Sequence, residues 1–144
     1  MNKILLLLLS FTLNAFSFST WAVDNESPDS RVSLGFTQAE KVVFLSEMRR
    51  MLSSIQGVIA GIGEANREQI IKSARYSGNR MARETPESIK KKTPASFKEI
   101  GGSTHMMFEE LVIRAETDDM DLLASFTGEL MAQCLACHER FKTD

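Results

Sequence analysis

Cysteine is scarce in this chain. Two in 144 residues are too few to staple a small disulfide scaffold. Positive charge is not in excess either: 17 Lys and Arg stand against 19 Asp and Glu, with a pI near 5.8. That balance removes the electrostatic case for nucleic acid as a partner held on a basic face. Proline and glycine number only 3 and 8, while 43% of residues are hydrophobic and 25% charged. This composition excludes low-complexity and disordered classes and describes a globular protein of one ordinary domain. No alternation of strand type, hairpin turn or fixed-period repeat is present, which argues against sheets and solenoids. Nor is there a nucleophile constellation or general acid–base pair, so no enzymatic role is expected.

The N-terminus has the form of a cleaved secretory signal. Asn2-Lys3 is a short positive start, Ile4 to Leu9 is an unbroken apolar run, and Thr20-Trp21-Ala22 ends the segment with small residues at the two positions a signal peptidase reads. Residues 4–23 are just long enough for a membrane anchor, but the scattered Ser10, Thr12, Asn14, Ser17 and Ser19 argue against one. No Cys lies near the site to take a lipid. Residues 1–22 are therefore expected to be removed on export, with a periplasmic destination. Cleavage takes away Lys3 and no acid, so the mature chain is slightly more acidic than the precursor's formal −2. Residues 23–35 are polar, contain Pro28 and read as a mobile leader before a domain at 36–144.

Helical patterning fills that domain. Thr37-Gln38-Ala39-Glu40 has the form of a capping box, with Thr37 as N-cap. Phe44, Met48, Met51, Ile55, Val58 and Ile62 follow at spacings of four and three, overlapped by a second row, Leu45, Met48, Leu52, Ile55, Ile59 and Ile62, and the stripe ends at Gly61 and Gly63. Asn66, with Gln69 three residues on, starts a second, thinner stripe through Ile70, Ile71 and Ala74 towards Met81. Residues 85–96, with Pro86, Pro94 and Lys90-Lys91-Lys92, read as a connection; the lysines are either a solvated loop or a patch that steers an acidic redox partner. Thr93-Pro94 starts a third helix, placing Pro at the first helical position. Phe97, Ile100, Thr104, Met107, Phe108, Leu111 and Ala115 form its stripe, weakened by Gly101-Gly102. Asp118-Asp119 caps a fourth, whose inner face holds Leu123, Phe126, Leu130, Cys134, Cys137 and Phe141. Four amphipathic helices with mostly short links predict an all-α, antiparallel four-helix bundle.

One motif carries chemistry: Cys134-Leu135-Ala136-Cys137-His138. C-x-x-C-H is the attachment sequence of c-type haem. Thiols three apart lie on one side of a helix and can add across the two vinyl groups of the porphyrin, while the adjacent imidazole reaches the iron. A thiol-disulfide site belongs with a βαβ pattern, which is absent here. Zinc needs about four ligands, and the chain has two Cys and two His in all. An incidental disulfide beside a surface histidine is the plain alternative, though export would expose an unbridged helical pair to stray oxidation. Haem c accounts for the export, the pairing and the lack of other cysteines together.

With this motif on the last helix, a few residues from the C-terminus, the chain resembles the cytochrome c prime family and its low-spin relatives. The tail Cys134-Leu-Ala-Cys137-His138-Glu-Arg-Phe141-Lys142 matches the family's usual ending, an aromatic and then a base after the haem motif. The resemblance spans about residues 37–144, but only those nine are a specific match. It implies a monohaem c-type cytochrome that carries single electrons between redox partner proteins, and it allows a homodimer. In the family, the residue facing the iron opposite the proximal His comes from the first helix. A Met there gives a six-coordinate electron carrier. An apolar residue gives a five-coordinate haem that binds small gases such as nitric oxide. Met48, on both apolar rows, is the expected sixth ligand to the metal beside His138; Met51 and His105, the only other histidine, are alternatives. Relatives carry an Arg four residues before the Met, near the haem propionates. Here Phe44 and Glu47 hold those positions, and Arg49 and Arg50 are the candidates to pair with a propionate.

Overall fold

The computed structural model describes residues 29–144. The signal segment, and with it the expected cleavage after Ala22, lies outside the described residues. Six helices follow one another: α1 Gln38–Gly63, α2 Arg67–Arg75, α3 Asn79–Glu84, α4 Glu87–Lys92, α5 Ala95–Thr117 and α6 Met120–Arg140. The protein is all-α apart from one small parallel pair, in which β1 (Val32–Ser33) lies beside β2 (Phe141–Lys142). Among the described residues no helix is long and apolar enough to cross a membrane.

The helix starts follow the local chemistry of the sequence. Thr37 Oγ1 accepts from the Glu40 amide at 3.3 Å, and the Glu40 carboxylate accepts from the Thr37 amide at 2.8 Å, closing the expected capping box of α1. Asn66 caps α2 by accepting from the Gln69 amide, but Gln69 does not reach back to it. Its side-chain amide donates instead to the Gly57 carbonyl, tying α2 to α1. Pro94 is the N-cap of α5, one position outside the expected one. Asp119 caps α6, whereas Asp118 closes α5 and pairs with Arg114 at 2.8 Å. After Gly63 the left-handed turn falls on Ala65 (φ 52°) rather than on a glycine.

Where the fold departs from the expected pattern, the cause is visible. The leader's last residues are tied down: Val32 pairs with Phe141, the Leu34 amide donates to the Lys142 carbonyl, and Leu34 and Phe36 are buried. Residues 85–96 are not simply a connection, because Pro86 caps the short α4, whose Ile89 is 1% exposed. Its lysines are mostly engaged. Lys92 bridges to Glu40 at 2.6 Å, and Lys90 to Glu87 and to the Arg83 carbonyl, leaving Lys91 alone to solvent. The second stripe breaks at Ser77-Gly78, so Met81 is buried from a separate helix, α3. Leu45, Leu52 and Ile59 are exposed, so the buried stripe of α1 is narrower than the two overlapping rows.

Helix α1 packs on α2, α2 on α5, α5 on α6, and α6 back on α1. Most of the buried apolar residues fall into two groups. The larger runs through Val58, Ile70, Phe108, Leu111, Leu123 and Leu130. The smaller joins Leu34, Phe36, Phe44, Ile89 and Phe141 at the end of the molecule where α6 finishes. Neighbouring rings link Phe36, Phe44, Phe97 and Phe141 at centroid distances of 5.1, 5.9 and 5.3 Å, within the range of favourable aromatic pairs.

Candidate haem-binding site

Between the two clusters lies a cavity of about 580 Å³, walled by α1, α3, α4, α5 and α6. Protein interiors have few voids larger than a water molecule, and pockets for cofactor-sized ligands begin near 300 Å³. Its walls are largely apolar: Phe44, Met48, Met51, Ile55, Ile89 and Ile100 all contribute. A narrower space of about 260 Å³ shares Phe44, Met48, Phe97, Cys137 and His138 with it and opens beside Arg31 and Lys142.

Cys134, Cys137 and His138 all line the main cavity from the last turns of α6. Both cysteines are free and half-buried. Burial pushes both thiols above their ordinary value, the reverse of the lowered pKa that activates a thiol-disulfide site. His138 is exposed, on the last turn, and its carbonyl accepts from Arg31 at 3.3 Å, so the residues before β1 help to hold that turn. Among the described residues no three His, Cys, Asp or Glu side chains converge to hold a bare metal ion. A porphyrin supplies four nitrogens of its own and asks the protein for one or two axial ligands. Two thiols and an imidazole on the rim of an apolar, cofactor-sized cavity therefore fit haem c.

The other expected residues divide. Met48 and Met51 are half-buried and line the cavity, Met48 against the smaller cluster and Met51 against the larger. His105 lines it from α5. Arg49 and Arg50 do not: Arg49 is exposed, and the Arg50 guanidinium sits 5.6 Å from the ring centroid of Tyr76. On α1 they follow Met48 onto the faces turned away from the cavity, so neither is positioned for a propionate. The bases on the cavity wall are Lys90 and Lys98. Lys98 has no ion pair among the described residues, whereas Lys90 is held by Glu87.

Sequence reasoning did not single out Lys98, or Glu47 as part of the site. Glu47 lines the cavity half-buried; desolvation raises its carboxyl above the ordinary value, and the Thr85 hydroxyl donates to it at 3.4 Å. An acid three residues after Phe44 and four before Met51 lies on the apolar stripe of α1, and that is the signal that could have found it.

No protein-family model matches this chain, and no curated protein or solved structure was found to match it.

Proposed function

We propose that the protein is an exported, periplasmic monohaem c-type cytochrome that carries single electrons, built as the four-helix bundle its C-terminal motif resembles. One observation carries this reading: Cys134, Cys137 and His138 line one largely apolar cavity of cofactor size. In the bundle, α1, α2, α5 and α6 are the four main helices, and α3 and α4 belong to the connection between the second and third.

Each residue then has a task. Cys134 and Cys137 would hold the haem by adding their S–H bonds across its two vinyl groups, sulfur to one carbon and hydrogen to its neighbour, with no oxidant needed. His138, on the same cavity lining, would offer its imidazole to the iron. Phe44, Ile55, Ile89 and Ile100 exclude water and lower the local dielectric, two of the levers that set a reduction potential. Lys98, on the cavity wall and without an ion pair among the described residues, would be the base to meet a propionate in place of Arg49 and Arg50. The bound haem supplies the chemistry itself, a reversible change of its iron between ferrous and ferric. Exposure of His138 at the end of α6 would give a redox partner protein a short route for the electron.

The test is attachment. Wild-type protein produced with a haem-maturation system should keep its haem through acid extraction, and the double variant Cys134→Ala, Cys137→Ala should not. A double variant that retains covalent haem, or a wild type that never acquires it, contradicts the proposal.

A further inference from the structure

His105 has one ring nitrogen held by the backbone and the other without a hydrogen-bond partner among the described residues. Its Nδ1 lies 2.7 Å from the Ser77 carbonyl oxygen, so the ring donates from Nδ1–H, and the neutral ring then has its lone pair on Nε2. Among the described residues Nε2 has no hydrogen-bond partner, and the ring lines the cavity that Cys134, Cys137 and His138 also line. Ser77 is a firm anchor. It is fully buried, its amide donates to Ala74 at 3.1 Å, and its hydroxyl shares a 2.7 Å bond with Ser54, itself buried on α1. A backbone carbonyl that accepts from one ring N–H and so leaves the other nitrogen to ligate is how metal-binding histidines are commonly oriented.

A second observation lies one turn earlier on α5. Gly101 and Gly102, four and three residues before His105, line the same cavity. A Cβ at Gly102 would meet nothing within 4 Å, and one at Gly101 only the Phe97 ring at 3.8 Å. The protein's own packing therefore does not demand glycine, although each costs a helix interior about 1 kcal/mol against alanine. The pair leaves the face of α5 below His105 bare, where a flat group can approach the backbone. Met48 and Met51 line the cavity as well, but each packs against a hydrophobic cluster, which is methionine's ordinary role as a filler.

We infer that His105 is the axial ligand opposite His138, so that the iron is bound by two imidazoles rather than by histidine and the Met48 thioether. The inference rests on the haem reading above. It replaces the first-helix ligand that the family resemblance implies.

Spectra of the purified ferric holoprotein test it. The wild type should be low-spin and lack the near-infrared charge-transfer band of a thioether ligand. His105→Ala should become high-spin, and added imidazole should return it to low-spin. His105→Met should keep covalent haem and acquire the thioether band, which guards against a variant that fails only in folding. A high-spin wild type would overturn the inference. So would a low-spin wild type whose spectrum survives His105→Ala but is lost in Met48→Leu. In both cases covalent haem is still present and the cytochrome reading stands. A wild type without covalent haem overturns both.

Discussion

Cys134 and Cys137, three residues apart on α6, pack against different hydrophobic clusters: Cys134 on the larger and Cys137 on the smaller. Between the clusters lies the cavity that both cysteines line. The pair thus straddles the division between the two clusters, and a group joined to both sulfurs would be gripped by both. Helical spacing alone puts the two on one side of α6. The apolar residues that α1 and α4 bring opposite them make that side an interior.

The β1 segment belongs to this end of the core. Leu34 is 5% exposed among Phe36, Phe44, Ile89 and Phe141. Leu34→Ala should cost about 2–4 kcal/mol through lost burial and an unfilled space. Thermal or denaturant unfolding of the holoprotein would show it; a change within about 0.5 kcal/mol would mean that the segment is only loosely docked.

Two glycines should respond oppositely to alanine. A Cβ at Gly61 would stand 2.8 Å from Ile70 Cγ1, 3.0 Å from the Ile70 amide nitrogen and 3.1 Å from the Asn66 carbonyl oxygen, where α1 runs close to the start of α2. Backbone atoms cannot yield as a side chain can, so Gly61→Ala should destabilise by about 1–3 kcal/mol. At Gly128, inside α6, nothing lies within 4 Å of the added methyl, and Gly128→Ala should stabilise by about 0.5–1 kcal/mol. Paired unfolding curves check both signs.

Acid should loosen the join between α4 and the start of α1. The Lys92 ammonium, and then the Thr37 amide, hold the Glu40 carboxyl down at about 2 from its ordinary 4.5. A carboxyl depressed in the folded state contributes stability above the ordinary value and loses it as pH falls towards about 2. Lys92→Met should therefore be less stable than wild type at neutral pH, with the gap closing between pH 4.5 and 2. Melting temperatures of the two proteins across that range would measure it, and a gap independent of pH would show that the bridge does not act through Glu40 ionisation.

What the sequence made legible follows from how each signal arises. The capping box at Thr37, the Asp119 cap, the stripes of α5 and α6 and the first of the two α1 rows are local patterns, and they hold. Cys134, Cys137 and His138 stand in a short motif with a stated chemistry, and the structure brings them to one cavity. Helix α4 was hidden because one buried residue, Ile89, has no period to announce it between two prolines. Val32, Leu34 and Phe36 do alternate with Ser33, Gly35 and Thr37, a period of two, but over too short a stretch to stand out beside Pro28. The anchoring of His105 by Ser77, 28 residues away, is a tertiary fact that no local window contains.

The most direct measurement is the intact mass of the protein purified from a host that exports and matures c-type cytochromes. The account predicts one species, the chain from Val23 or a residue within a few positions of it plus the mass of one haem, unchanged by denaturation in acid. A denatured species with the mass of the bare polypeptide, its cysteines free or joined to each other, would contradict it.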